Sequence, residues 1–261
     1  MTRLMGVVNV TPDSFSDGGL YLDPAAAVAH GRELAAAGAE ILDVGGESTR
    51  PGAEPVAAEE ELRRVVPVVE GLRDLGCDVS VDTSKAAVAA AALAAGATIV
   101  NDVTALRGDP EMAPLCAERG ATVVLMHMLG EPRTMQADPR YADVVAEVKE
   151  FLAERLRAAI AAGIAEERVW LDPGIGFGKT AAHNMELLRR LGELRDLGRP
   201  LVIGTSRKSF IGKVDGSAAD ERLGGTIASS VLAAAEGAEV LRVHDVAEVR
   251  QALAVAAAIL G

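Results

Sequence analysis

Eight polar residues fall where short apolar runs end: Asn9, Asp43, Asp82, Asn101, Asp172, Lys208 just past its run, Arg242 and His244. Any one of them alone reads best as a cap or a salt-bridge partner. A whole series is harder to explain structurally, because buried carboxylates and amides cost free energy unless they are paired. Their chemistry falls into two sets. Asp82 and Asp172 are acceptors that could each bind a pair of N–H groups on a heterocycle, and Asn101 offers donor and acceptor on one planar group. Lys208 suits a carbonyl oxygen or ring nitrogen, and Arg207 or a second basic residue could lie over or beside the ring. The second set is Thr49, Arg50, Arg242 and His244, where an arginine fork and an imidazole suit phosphate oxygens. Asn9 could give a hard oxygen ligand to Mg²⁺, a cation that commonly keeps several waters and bridges substrate phosphates.

The elements that must position these residues repeat one plan. A mostly apolar run covers residues 4–10, and a polar, glycine-ended loop follows. Asp23 and Pro24 then form an N-cap with proline in the first helical turn. Further strands are expected at 40–44, 78–82, 98–102, 122–126, 167–170, 200–204 and 239–243. Helices are expected at 57–75, 86–95, from 109 to 120, at 141–162, 183–195, 218–235 and 246–260. Glycines 38, 76, 96, 120, 163, 198 and 237 each close a helix just before a strand. The stretch Asp172-Pro173-Gly174-Ile175-Gly176-Phe177-Gly178-Lys179 reads as a strand end, then a loop shaped to let something flat approach. Its Phe177 reads as an apolar contact and its Lys179 as structural, at the start of a helix surface. Short aliphatic strands without alternation suit a parallel sheet buried on both faces. Eight such units in one 261-residue domain predict an α/β fold, the (β/α)8 TIM barrel. A doubly wound open sheet is the alternative, but it concentrates its ligand loops near one crossover. Here polar, glycine-rich segments follow strands along the whole chain.

Composition narrows the function. The net charge of −12 and pI near 4.9 argue against a global nucleic-acid surface, although a local arginine cluster can still hold a small anion. No run approaches a membrane span and no signal peptide is visible, so a cytoplasmic protein is expected. Cys77 and Cys116 make no disulfide framework and have no zinc spacing. The glycines of the 172–179 stretch lack dinucleotide spacing, and no serine sits in a nucleophile elbow.

Several segments resemble dihydropteroate synthases. They are Met5 to Gly19 (MGVVNVTPDSFSDGG), Asp43 to Gly52 (DVGGESTRPG), Ser80 to Lys85 (SVDTSK), Asn101-Asp102, Asp172 to Lys179, Ser206 to Gly212 (SRKSFIG) and Arg242 to Val246 (RVHDV). They follow the family's order across nearly the whole chain. The resemblance implies a pterin-binding TIM barrel, usually a homodimer, that uses Mg²⁺ in folate biosynthesis and is a sulfonamide target. Its reaction joins 6-hydroxymethyl-7,8-dihydropterin pyrophosphate to p-aminobenzoate, releasing pyrophosphate. It places Asp82, Asn101, Asp172, Lys208, Met126, Phe177 and Gly204 at the pterin, and Asn9 at the metal. Thr49, Arg50, Arg242 and His244 fall at the pyrophosphate. Phe15, Thr49, Pro51, Lys208 and Ser209 fall at the p-aminobenzoate. Asp17, Lys208, Arg242 and His244 are the catalytic group, with Asp17 stabilising a pterin cation from a loop. In the loop from His127 to Gln136 (HMLGEPRTMQ), Leu129 and Glu131 stand where polar or small residues are more usual in the family. A pterin-binding methyltransferase shares the barrel and the acids, but not the basic pyrophosphate cluster or the TPDSFSDGG loop. A barrel without activity, serving as a scaffold, would have no use for the polar ring.

Overall fold

The computed structural model describes residues 2–11, 23–49 and 52–261. Eight parallel strands carry the chain: β1 (Arg3–Asn9), β2 (Ile41–Gly45), β3 (Asp78–Asp82), β4 (Ile99–Asp102), β5 (Thr122–Met126), β6 (Val169–Asp172), β7 (Val202–Ile203) and β8 (Val240–Val243). Their order is β6-β5-β4-β3-β2-β1-β8-β7. A parallel bridge between Leu171 and Leu201, with Leu171 N–H donating to the Pro200 carbonyl at 2.9 Å, joins β6 to β7 and closes the barrel.

The strands are buried on both faces, and alternate residues serve different cores. Leu42, Val44, Val81, Val100, Val123, Leu171 and Leu241 point outward into the large core shared with the helices. Met5, Ile41, Ile99, Val124, Val202 and Val240 point inward as a small separate cluster, with Trp170 packed against it. Below that cluster, the Arg3 guanidinium lies 5.8 Å from the Trp170 ring centroid and donates to Asp78 Oδ2 at 2.5 Å, forming the floor. Moving up two residues from the inner apolar layer reaches Asp43, Asn101, Met126, Asp172, Gly204 and Arg242. Period-two geometry therefore turns these positions inward at the upper mouth, where parallel barrels keep their sites.

The helices outside are α1 (Pro24–Ala37), α2 (Ala58–Leu72), α3 (Ala86–Ala95), α4 (Met112–Arg119), α5 (Val144–Ala161), α6 (Ala181–Arg189), α7 (Ser209–Asp215), α8 (Leu223–Ala235) and α9 (Val246–Leu260). Asp23 caps α1 by accepting from Ala25 N–H at 3.0 Å. The seven glycines that end the helical segments all have positive φ, from 61° to 124°. Three expectations need correction. The strand expected from 167 starts at Val169, because Glu166–Arg168 turn as a 3-10 segment and keep the two glutamates in solvent. The helix expected over 183–195 stops at Arg189. Gly192 follows, and Leu191–Leu197 continue as a 3-10 segment that buries Leu191 and Leu194. The helix expected over 218–235 begins at Leu223, and the loop before it contains α7, which buries Phe210 and Ile211.

Among the described residues, no helix is long and apolar enough to cross a membrane.

Candidate active site

The mouth opens into a cleft of about 860 Å³. One side is a charged network built on β2, β3, β4 and β8. Arg242 donates through Nε to Asp43 Oδ2 at 2.6 Å and through Nη2 to Asp82 Oδ2 at 3.0 Å. Asn101 donates from Nδ2 to the same Asp43 oxygen at 3.2 Å. Asp43 is fully buried, so these contacts offset its desolvation, and they fix how Arg242 and Asn101 face the mouth. With that Asn101 N–H engaged, its carbonyl oxygen is the better ring contact. Burial pushes the Asp82 carboxyl up to about 7; Arg242 pulls the other way and Asp43 adds to the rise.

The opposite wall belongs to the ends of β6 and β7. Asp172 Oδ1 accepts from Gly174 N–H at 2.7 Å. Burial raises its carboxyl pKa, against the pull of Lys208 and that N–H. Lys208 donates to the Ile175 carbonyl and holds its ammonium 4.7 Å from the Phe177 ring centroid. Burial lowers its pKa to about 8 although Asp172 favours the charged form. Met126 packs behind Phe177 with Val103, Met128 and Met135, giving this wall an apolar base. Gly204 keeps the gap open: a Cβ there would lie 3.7 Å from Lys208 Nζ and 3.8 Å from the Arg242 Cβ.

The glycine run between these walls is forced by close approach. Gly174, Gly176 and Gly178 have φ of 66°, 87° and 63°. A Cβ on Gly174 would stand 1.9 Å from the His127 carbonyl oxygen. The turn folds its carbonyls inward around Lys179, whose ammonium donates to Gly174 O and Phe177 O at 3.0 Å each and lies 2.9 Å from His127 Nδ1. Lys179 is thus buried under the loop at the cleft, not spread on a helix surface; Thr180 caps α6 instead. Burial, with the Lys179 charge, drives the His127 pKa down to about 3, so the ring stays neutral and accepts the lysine's hydrogen bond. Burial also lowers Lys179, to about 7.

Asn9, Thr49, Ser209 and His244 line the same cleft, and His244 Nδ1 lies 2.9 Å from Ser206 Oγ. Arg207, one of the basic residues considered for the ring, also lines the cleft but forks onto Asp245 through Nε and Nη2. Phe15, Asp17, Arg50 and Pro51 lie outside the described residues. Four contributors lacked a role in the sequence reading. Asp43 was visible as a strand end, but its bond to Arg242 spans 199 residues of chain. Asn184 accepts from Gly176 N–H at 2.7 Å, and Gln136 donates to Gly176 O at 2.5 Å. Glu47 lies on the cleft wall but turns toward Lys85. Only tertiary folding brings the last three to their places.

Among the described residues, no three His, Cys, Asp or Glu side chains gather as a metal cage. Asn9 nevertheless faces a gap left by the absent side chain of Gly45. A Cβ on Gly45 would lie 3.7 Å from Asn9 Oδ1 and 3.8 Å from Asp82 Oδ2. Asp82 Oδ2 is taken by Arg242, so Asn9 Oδ1 is the oxygen of this pair that could hold a hard cation keeping most of its waters.

A protein-family model described as pterin binding enzyme matches residues 5–244. The dihydropteroate synthase of Escherichia coli strain K12 is 49% identical over 259 residues, covering 99% of this chain and 92% of that protein. The Yersinia pestis dihydropteroate synthase, solved with a sulfonamide drug complex, superposes with a TM-score of 0.96 at 45% identity, covering 99% of this chain and 94% of the other. The Xanthomonas albilineans enzyme, solved with 4-aminobenzoic acid, gives 0.93 at 52% identity, covering 100% and 93%. With fold and nearly full length shared, the chain belongs to the dihydropteroate synthases, pterin-binding transferases of folate biosynthesis.

Proposed function

We propose that this mouth condenses 6-hydroxymethyl-7,8-dihydropterin pyrophosphate with p-aminobenzoate. The observation that carries this assignment of roles is the pairing of two walls across one cleft. On one side Asp82 and Asn101 stand at the strand ends beside Arg242; on the other Asp172, at the end of β6, is followed by Phe177, and Lys208 holds its ammonium over the Phe177 ring, so acceptors and an amide oppose a cation and an apolar face. The pterin amino-pyrimidine edge donates to Asp172 and Asp82, and Lys208 donates to a ring carbonyl or nitrogen. Thr49, Arg50, Arg242 and His244 hold the pyrophosphate. Because Arg242 is already braced by Asp43 and Asp82, it meets the leaving group in a fixed orientation. Phe15, Thr49, Pro51, Lys208 and Ser209 border the p-aminobenzoate.

In the reaction, the bond between the pterin methylene carbon and the pyrophosphate oxygen breaks, and its electron pair leaves with pyrophosphate. The electron-rich dihydropterin stabilises the resulting cation, with Asp17 facing it. The arylamine lone pair then forms the carbon–nitrogen bond, and the amine proton is lost to water. The arylamine is a neutral nucleophile, so no protein base is assigned. Asn9 would hold Mg²⁺, which when bound supplies charge neutralisation to the pyrophosphate. A homodimer is also proposed; Leu232 on α8 and Ile259 and Leu260 on α9 are exposed, at 64%, 77% and 73%. By calorimetry, p-aminobenzoate should bind when pyrophosphate and Mg²⁺ are saturating. No heat of binding under those conditions would contradict the proposed site.

A further inference from the structure

The SVDTSK and DVGGESTRPG segments each contain a charged residue, Lys85 and Glu47, that the proposed reaction does not use. The fold brings them together with Glu61 of α2. Lys85, the residue before α3, donates through Nζ to Glu47 and, at 2.5 Å, to Glu61 Oε2. Glu61 is fully buried, and its other oxygen, Oε1, has no partner among the described residues. A carboxylate so placed is costly unless an opposite charge is fixed beside it. Lys85 is that charge. Burial works against its ammonium, but the bonds to Glu47 and Glu61 hold its pKa above the usual lysine value.

Glu47 links this buried pair to the loop after β2. The Val56 N–H donates to Glu47 Oε2 at 3.3 Å, so one carboxylate ties the loop's exit to its entrance. Arg64 holds the entrance again by donating from Nη1 to the Gly46 carbonyl at 2.9 Å, and Glu60 orients Arg64 through Nε at 2.9 Å. A Cβ on Gly46 would stand 2.7 Å from Val65 and 3.0 Å from Glu61 Cγ, so the loop base lies directly against α2. Ser48 and Thr49, which line the cleft, lie within this clamped span.

We infer that Glu47, held by the Lys85–Glu61 pair, is a positioning residue that sets the loop carrying Thr49 against the second substrate. This rests on the reading of that loop as the p-aminobenzoate and pyrophosphate wall. The clamp holds both ends of the loop's base, so Ser48 and Thr49 meet the substrate already positioned and less entropy is lost on binding. The pterin ring, held by strand ends, does not depend on it.

The test uses Glu47→Ala and Glu47→Gln in the full chain, because removing Lys85 would strand Glu61 and threaten folding. The expected result for Glu47→Ala is a p-aminobenzoate KM raised about tenfold, with affinity for 6-hydroxymethylpterin, which lacks pyrophosphate, within about twofold of wild type. Glu47→Gln, which keeps one acceptor, should fall between. Hydrogen exchange should quicken over residues 46–57 in Glu47→Ala and stay unchanged in β3 and β4. An unchanged KM with unchanged exchange would overturn the inference, as would a parallel loss of pterin affinity. If the wild-type chain shows no p-aminobenzoate-dependent turnover, the substrate reading fails instead, while the exchange result still decides whether the clamp exists.

Discussion

Lys208→Ala should lower kcat/KM by on the order of 10³, the scale for losing one preorganised donor to a developing charge together with its ring contact. Three functions end at that nitrogen. It faces the Phe177 ring, donates to the Ile175 carbonyl and favours the ionised form of Asp172. The fold should survive, because Asp172 keeps the Gly174 N–H and the nearby Lys179 charge and, with its pKa already raised by burial, can take up a proton; a loss of about 1–2 kcal/mol is expected. The wild-type pH profile should carry the same signature. With the Lys208 pKa near 8, the charge is present below that pH and is lost as pH rises through it. kcat/KM should therefore fall on the alkaline side of about pH 8, and Lys208→Arg, charged throughout, should lose that limb. Wild-type kcat/KM in Lys208→Ala would remove Lys208 from the site.

Gly174→Ala should cost the most stability of any single methyl added at the mouth. Two effects combine: a left-handed backbone at φ 66° and a Cβ placed 1.9 Å from the His127 carbonyl oxygen. Strain and overpacking together amount to about 3 kcal/mol. At this chain length that is a fall of roughly 10 °C in Tm. The clash sits beside the N–H that Asp172 accepts, so pterin affinity should fall as well. Gly198→Ala separates the two effects. Its φ is 68°, nearly the same, but nothing lies within 4 Å of the added Cβ. It should cost only the backbone share, about 1 kcal/mol, with no change in pterin affinity. Thermal denaturation of both variants, with pterin titration, makes the comparison. Equal losses would show that the His127 carbonyl is not the obstacle.

Local chemistry explains what the sequence disclosed. Asp23 and Pro24 opened α1 as expected, and each helix-ending glycine took the positive φ that favours it. Seven such closures, each before an apolar run, are enough to suggest the barrel. The strand-end acids were legible for a similar reason: a carboxylate at the end of a doubly buried strand has few structural uses. What could not be read was which charge meets which. Arg242 read as a phosphate fork, yet in the fold it is also the brace between Asp43 and Asp82. Arg207, next to Lys208 in sequence, stays on the cleft wall but commits its guanidinium to Asp245, 38 residues along the chain. Lys179 looked like a helix-start residue. Three positive-φ glycines wrap carbonyls around it, and no propensity scale registers such a cage. The short α7 was also missed, since SFIGKVD carries a glycine and only two buried apolar side chains.

The central claim is that one cleft joins the two substrates and expels pyrophosphate. The most direct measurement is pyrophosphate release by the purified chain with Mg²⁺, with each substrate supplied alone and then both together. Sustained release is expected only when the pterin pyrophosphate and p-aminobenzoate are both present, with 7,8-dihydropteroate formed in equal amount. Release at the same rate without p-aminobenzoate, or none with both substrates present, would contradict it.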